Sequence, residues 1–348
     1  MEMAEIARTM RARMSWPVAQ RVLRERDIPR SHGWEKTIAA LSDETTDFSA
    51  KIDEGLEALV EHHLCGEKLV RIFEIDKDVK AQLLKKIAKL PIPKTTFSEK
   101  YPLYLSETEL EAAPEKPTLV AIEKKHSGIG LIFASARVIT TREVIADSKL
   151  KDGVADQYDE VYGLKEVRHQ AMDIVWVPAK GNHVDVRVDF PLGMHRDVGE
   201  AAHAVVASRF HEIIGLDLLS QPVNLFSLIN RIYSKPKEGM VVELGFGTTT
   251  ASNKLEKMRR KNLCLREEIY HIGGKAALET DIEPYRLSVV WKVPIGGKKF
   301  SLPELGLNTT SRISSSALPV MTGMIIRNCM GSFDFDHVRD RVEHFLAA

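Results

Sequence analysis

The sequence predicts an α+β protein in which an all-helical N-terminal domain is followed by a mixed, mainly antiparallel sheet domain with packed helices. Apolar residues recur at helical spacing from Ala4 to about Leu90. Prolines then cluster between positions 91 and 117, and beyond them the apolar pattern has a period of two. A chain of 348 residues is long enough for two domains. We therefore expect a helical domain over 1–95, a linker over 96–117 and a mixed α+β domain over 118–348.

The first domain contains one especially clear amphipathic helix. Its apolar positions line a single face, as a helix that packs on a core requires. The prolines of the linker bias the residues before them away from helix. The helical positions are Phe48, Ile52, Leu56, Leu59, Val60 and Leu64, and the prolines lie at 91, 93, 102, 114 and 117.

The second domain begins with alternating strand patterns. PTLVAIEKK and IGLIFASARVI are predicted strands joined by the glycine-containing turn HSGIG at 126–130. DIVWVPAKGNHVDVRVDF is typical of a hairpin, with Val184, Val186 and Val188 on one sheet face. Residues 197–214 and 222–233 have helical spacing, MVVELGFG and YRLSVVWKV are predicted strands, and FDHVRDRVEHFL predicts a C-terminal helix. We expect NTTSRISSS at 308–316 on an exposed strand face.

Composition indicates a cytoplasmic protein. The chain has 44% hydrophobic and 28% charged residues, and its N-terminus lacks the apolar core of a secretory signal. We find no apolar run of membrane-spanning length in the sequence. Cys65, Cys264 and Cys329 lie far apart, which argues against a disulfide framework or a cysteine-rich zinc site.

A local basic cluster points to phosphate binding, although the whole chain has 49 basic and 49 acidic residues. GFGTTTASNKLEKMRRKN at 245–262 predicts a strand that enters a glycine turn and opens a basic helix, a geometry suited to anions. An alternative is a solvated helix whose N-terminus is capped by the hydroxyl and amide groups of Thr248, Thr249, Thr250, Ser252 and Asn253. The predicted phosphate-binding cations are Lys254, Lys257, Arg259, Arg260 and Lys261.

Residues 16–43 have the pattern of a small helix-loop-helix unit. Leu23, Ile28, Ile38 and Leu41 form its predicted core, and the loop contains Pro29 and Gly33. This segment resembles the SAP motif, a DNA-binding helix-loop-helix. The resemblance implies that cations at the rim contact DNA phosphates, and an ordinary packing hairpin is the alternative. Those cations are Arg24, Arg26, Arg30 and Lys36.

VVELGFGT resembles the first motif of class I S-adenosylmethionine-dependent methyltransferases. Glu243, Gly245 and Gly247 match it, whereas Thr249 stands where the third glycine belongs. The resemblance implies a second acidic residue about 20 positions on, for which Glu267 or Glu268 is available.

Metal-dependent chemistry is a further alternative. Asp185 and Asp189, together with Glu123-Lys124-Lys125, supply the acids and lysines of a metal-dependent nuclease. Histidines and a carboxylate in the next segment are also candidate ligands, because Glu200 and His203 share one helix face. That group is His195, Glu200, His203 and His211.

Together these patterns favour a protein without chemistry of its own that binds nucleic acid, most directly DNA, or joins a nucleoprotein complex. The SAP-like segment and the basic cluster would both act by neutralising phosphates. No cofactor, membrane partner or oligomeric state is indicated. A methyltransferase, a metal-dependent nuclease and an interaction scaffold are the alternatives.

Overall fold

The fold is built on one large antiparallel sheet, as a computed structural model shows for residues 2–43, 45–151, 153, 157–158, 160–248, 252–297 and 299–347. Ten strands pair in the order β2-β3-β4-β5-β1-β12-β11-β8-β6-β7, and β9 and β10 form a separate hairpin. Each pairing is antiparallel. The strands are β1 Lys68–Glu74, β2 Thr118–Lys125, β3 Gly128–Val144, β4 Tyr162–Pro178, β5 His183–Asp189, β6 Met240–Gly247, β7 Asn253–Lys257, β8 Glu283–Val290, β9 Val293–Gly296, β10 Lys299–Ser301, β11 Glu304–Asn308 and β12 Met324–Arg327.

Helices cover both faces of the sheet. The helices are α1 Met3–Arg13, α2 Trp16–Glu25, α3 Trp34–Leu41, α4 Ile52–Cys65, α5 Lys77–Ile87, α6 Thr96–Lys100, α7 Glu107–Ala112, α8 Arg196–Ile214, α9 Ser227–Tyr233, α10 Ile269–Ala276, α11 Ser311–Ser314 and α12 Ser332–Ala347. Helices α5 and α8 pack on one face, and α9 and α12 pack on the other. Helices α1 to α4 share a third core, which extends the molecule beyond the sheet. In the described residues, no helix is long and apolar enough to cross a membrane.

The mixed α+β class and the antiparallel sheet are confirmed, but the expected all-helical character of residues 1–95 is not. Strand β1 lies inside that range and pairs with β5 on one side and with β12 on the other. Its residues alternate between the two cores, since Val70 and Ile72 face one and Phe73 faces the other. The reason is non-local, because β1 is stabilised by strands more than 100 residues away. The domain limits themselves stay a prediction.

The predicted linker contains two short helices that pack on the sheet. Phe97, which follows the N-cap of α6, is almost fully buried, and Leu105 is also in the core. Thr95 and Ser106 each begin a capping box, at α6 and α7 respectively. Prolines therefore separate short elements here without removing them from the core.

The predicted hairpins are confirmed. Strands β4 and β5 pair, and Val184, Val186 and Val188 are all buried in the core under α8. Residues 126–127 turn between β2 and β3, as HSGIG predicts. The segment at 308–316 differs from the expected strand, because β11 ends at Asn308 and the Thr310 hydroxyl caps α11 by accepting from Ile313 N at 3.4 Å.

Strands β3 and β4 continue beyond their neighbours as a two-stranded arm. They pair from Gly128 with Pro178 to Val144 with Tyr162, whereas β2 pairs with β3 no further than Ala134. Apolar side chains remain exposed along this arm, and Leu164 is 79% exposed. The arm therefore continues past the part of the sheet where β2 pairs with β3.

Candidate nucleic-acid interface

The basic segment that the sequence predicts as a helix is an edge strand and a loop. Strand β6 turns back into β7, whose residues Asn253–Lys257 pair with Gly247–Glu243. The prediction of a basic helix at this position is therefore wrong. Asn253 begins strand β7 and therefore does not cap a helix. Thr248 N donates to Ser252 O at 2.9 Å, and Thr249 and Thr250 lie outside the described residues.

The hairpin register distributes the predicted cations over two faces. Directly paired residues of antiparallel strands share a face, so Lys254 lies on the side of Phe246, toward α10. Lys257 lies on the opposite side, 2.9 Å from the carboxylate of Glu243. The remaining cations, Arg259, Arg260 and Lys261, follow β7 in a loop, where Lys261 Nζ lies 2.5 Å from Glu304 Oε2. Glu243 and Glu304 therefore offset part of the positive charge of this segment.

The charges of Arg259 and Arg260 are not offset by an acidic side chain of the described residues. Both side chains are exposed, and neither forms an ion pair within the described part of the chain. Lys254 is likewise exposed and has no ion pair among those residues. A phosphate could approach unpaired cations of this kind without first breaking a salt bridge, so these three side chains are the candidates of the cluster that the structure leaves most accessible.

An exposed aromatic and aliphatic surface on α10 lies beside Lys254. Glu268 begins the helix by accepting a hydrogen bond from His271 N at 2.8 Å. Ile269 is 86% exposed and Tyr270 is 75% exposed, so this helix presents apolar side chains to solvent. Surface cations next to an exposed aromatic ring are the combination that single-stranded nucleic acids bind. Sequence reasoning missed α10, because its short run IYHIGG has no wide apolar stripe.

A chain of three polar side chains holds α10 against the hairpin. Tyr233 Oη and His271 Nε2 are 2.9 Å apart, and His271 Nδ1 lies 2.6 Å from Glu256 Oε2. A carboxylate only accepts, so Nδ1 of the imidazole donates to Glu256 and Nε2 accepts from the tyrosine hydroxyl. Burial raises the pKa of Tyr233 to about 12, which keeps its proton on the hydroxyl as donor. Glu256 precedes His271 by 15 positions and Tyr233 precedes it by 38, and the sequence contains no local signal that joins them.

Two cavities adjoin the hydrogen-bonded side chains of Tyr233, His271 and Glu256. The larger, about 1540 Å³, is a polar cleft lined by Tyr233, Arg266, Lys275 and the serines at 314–316. The smaller, about 310 Å³, lies between the hairpin and α10 and is lined by Phe246, Lys254, Glu256 and Tyr270 among others. Both are open clefts at the sheet edge where the basic cluster lies.

The N-terminal helix-loop-helix has the secondary structure that the SAP resemblance implies. Helices α2 and α3 flank a loop, and Leu23, Ile28 and Leu41 are buried between them and α1 and α4. The SAP assignment itself is untested and stays a prediction. Trp34 packs edge-on against Trp16 with ring centroids 5.4 Å apart, and its ring N–H donates to Met14 O at 3.1 Å.

The four predicted cations of this unit are not equivalent. Arg24 lies 3.3 Å from Glu25, and Arg26 lies 3.2 Å from Glu57. Arg30 and Lys36 are exposed and have no ion pair among the described residues. The unit touches the β9–β10 hairpin, since Lys299 of β10 lies 3.3 Å from Glu25. Of the four predicted cations, Arg30 in the loop and Lys36 on α3 are therefore the ones that no described acidic side chain engages.

The methyltransferase resemblance does not extend to the geometry of its motif. That motif needs a strand, a glycine turn and a helix, whereas β6 leads into the antiparallel strand β7. Glu243 is bound by Lys257 and by Arg286. Of the two acids proposed for ribose, Glu267 lies in a short 3-10 turn and Glu268 caps α10. Thr249 lies outside the described residues.

The carboxylates proposed for a nuclease are bound by protein cations. Asp185 accepts two hydrogen bonds of 3.0 Å from Arg339, and Asp189 lies 2.5 Å from Lys68 Nζ. Glu123 accepts from the Tyr101 hydroxyl at 3.2 Å, on β2, which is separated from β5 by two strands. The sequence therefore grouped side chains that the fold keeps apart.

The proposed histidine ligands are also separated. His203 is buried, with its Nε2 3.1 Å from Leu69 O, and Glu200 pairs with Arg71 and Arg196. His195 precedes α8 and His211 lies in its last turn. Among the described residues, no three side chains of His, Cys, Asp or Glu lie together in a way that would hold a metal ion.

Comparisons of the chain with protein-family models, with curated proteins and with solved structures find no match. The basic edge and the clefts beside it are the features of the molecule that bear on its function.

Proposed function

We propose that the protein binds nucleic acid without catalysing a reaction, through an edge surface made of Lys254, Arg259, Arg260 and Tyr270. The observation that supports it best is the exposure of these cations, free of ion pairs in the described residues, together with the lining of one cleft by Lys254 and by a tyrosine that is 75% exposed. Lys and Arg on such a surface release counterions from phosphates, and an exposed ring stacks on a base. Lys257 and Lys261 add charge that Glu243 and Glu304 partly neutralise.

The N-terminal unit supplies a second phosphate-binding group in this proposal. Arg30 and Lys36 are free, and Arg24 and Arg26 contribute less because glutamates already pair with them. The contact between Lys299 and Glu25 joins α2 to the β9–β10 hairpin. One nucleic acid, or a nucleoprotein that presents one, would then touch both groups.

Fluorescence anisotropy of labelled duplex DNA, single-stranded DNA and RNA at two salt concentrations tests the proposal. We expect Arg259→Glu combined with Arg260→Glu to weaken binding and to reduce the salt slope by about 0.7–0.9 for each lost phosphate contact. Lys85→Glu combined with Lys89→Glu makes the same charge change at the end of α5 and in the turn that follows it, where both side chains are exposed on the other side of the sheet.

This control should bind like the parent chain. An equal loss in both double variants would mean that net charge, rather than the edge surface, governs binding. No binding of any of the three nucleic acids at low salt would overturn the proposed function.

A further inference from the structure

The smaller cavity beside α10 has the size and the wall chemistry of a site for one flat heterocycle. Its volume is about 310 Å³, at the lower end of ligand-binding pockets. We propose that it receives an unpaired nucleobase and that Glu256 selects guanine. This inference rests on the proposed function, because it names the part of a nucleic acid that the edge surface recognises.

Part of the cavity wall is apolar, and an aromatic ring lies among the lining residues. Phe246 and Ile282 are each only 6% exposed, and they line the cavity with the partly buried Leu278. Tyr270 lies at the opening and remains largely in solvent. Apolar walls favour the faces of a base over the sugar and phosphate, and stacking on an aromatic side chain adds to that preference.

Glu256 places a free carboxylate oxygen at this cavity. Its Oε2 accepts from His271 at 2.6 Å, whereas its Oε1 accepts no hydrogen bond from the described residues. His271 is in turn held by Tyr233 at 2.9 Å, so the carboxylate has one orientation. Guanine offers two adjacent N–H donors on its Watson–Crick edge, which match a carboxylate, whereas adenine, cytosine and thymine each offer one donor group there.

Two lysines at the same cavity are placed to bind the phosphates next to such a base. Lys254 and Lys275 both line it. Lys275 lies 5.2 Å from the centroid of the Tyr233 ring, and its contact of 3.9 Å to the exposed Asp281 is loose. A base in the cavity would therefore leave its neighbouring phosphates within reach of these two lysines.

Short single-stranded oligothymidines that contain one guanine, inosine, adenine or cytosine test the inference, together with GMP and AMP titrations monitored by calorimetry. We expect guanine to bind about tenfold or more tightly than adenine or cytosine, and inosine, which lacks the 2-amino donor, to lose most of that preference. Glu256→Gln should abolish the preference, because its amide still accepts from His271 but turns a donor toward the base. Glu267→Gln, an exposed glutamate of the larger cleft, is the matched control and should keep it.

The outcomes separate this inference from the proposed function. Equal binding of all four oligonucleotides, or an equal preference in Glu256→Gln, overturns the guanine site and leaves general nucleic-acid binding intact. Absence of oligonucleotide binding overturns the proposed function, and the GMP titration then tests the guanine site by itself. GMP binding that Glu256→Gln removes supports the guanine site, and no GMP binding overturns it. Thermal unfolding of each variant shows whether a loss reflects misfolding.

Discussion

Lys68 Nζ lies 2.5 Å from Asp189 Oδ1 in the middle of the sheet, and both side chains are almost fully buried. Arg13 of α1 reaches the same carboxylate at 3.0 Å, and Met172 N donates to its second oxygen at 2.5 Å. Burial opposes ionisation of Asp189, but the charges of Arg13 and Lys68 prevail and hold its pKa well below the usual range. This carboxylate thus joins the first helix to three strands.

Removal of that carboxylate should be strongly destabilising. Asp189→Asn leaves Arg13 and Lys68 buried beside each other without a counter-charge, and we expect the free energy of unfolding to fall by about 3–5 kcal/mol. Glu35→Gln breaks the exposed pair with Arg11 and should cost at most about 1 kcal/mol. Urea denaturation of the two variants measures the difference, and similar small losses would contradict it.

Acid should unfold the protein through the buried His62 and His63 and the partly buried His169, which lie near the same network. Burial, with a contribution from Arg13, lowers the pKa of His62 and His169 to about 3, and burial lowers that of His63 to about 4. The unfolded chain binds these protons below about pH 6.5, where the folded chain does not. Stability is therefore full above that pH and falls by about 1.4 kcal/mol per pH unit for each histidine down to the folded pKa.

Urea denaturation at several pH values between about 7 and 4.5 measures this slope. His169→Gln removes one of the three groups and should make the slope shallower. The exposed His32→Gln should leave it unchanged. A stability that stays constant over this range would show that the buried imidazoles accept protons without unfolding.

Two glycines with left-handed backbone should respond differently to alanine. Gly239 has φ +56°, and a Cβ there would lie 2.4 Å from Val289 Cγ1. Gly215 has φ +67°, but its nearest neighbour would be 3.9 Å away, at Lys86 Nζ. We expect Gly215→Ala to cost about 1–2 kcal/mol from backbone strain and Gly239→Ala about 2–4 kcal/mol, because overpacking is added. Thermal unfolding compares them, and equal costs would contradict the crowding at Gly239.

Period-two patterns predicted the sheet hairpins well, because alternation at Val184, Val186 and Val188 needs no knowledge of distant neighbours. Strand β1 was missed for the opposite reason. Its run KLVRIFE lies between helices α4 and α5 and becomes a strand only through pairing with β5 and β12. Strand β7 was missed because hydroxyl residues before a basic run are also typical of a capped helix.

The candidate site shows the same limit. Composition located the cations, but their sorting into free and paired side chains depends on partners such as Glu304, which lies 43 residues beyond Lys261. Tyr233, His271 and Glu256 come together only because α9, α10 and β7 meet at one edge. The sequence therefore located the basic residues, whereas the cavity and its carboxylate required the fold.

The last prediction concerns the SAP-like unit. Arg30 and Lys36 are exposed and unpaired in the described chain, so Arg30→Glu with Lys36→Glu changes charge without breaking a salt bridge. Arg26→Glu is less suitable, because it would set a like charge against Glu57. The experiment needs the full chain, since β1 is part of the sheet and a fragment that ends near residue 95 would leave its pairing partners behind.

If the unit binds duplex DNA, the double variant should weaken duplex binding and lower the salt slope by about 0.9 for each lost contact. Single-strand binding at the edge surface should change less, because stacking on Tyr270 does not involve α2 or α3. Combining the Arg30→Glu and Lys36→Glu variant with Arg259→Glu and Arg260→Glu should give additive losses of binding free energy if both surfaces touch the same duplex independently. Anisotropy titrations at two salt concentrations measure all three effects, with Lys85→Glu and Lys89→Glu as the charge-matched control. Unchanged duplex binding in the Arg30 and Lys36 double variant would assign α2 and α3 to packing alone.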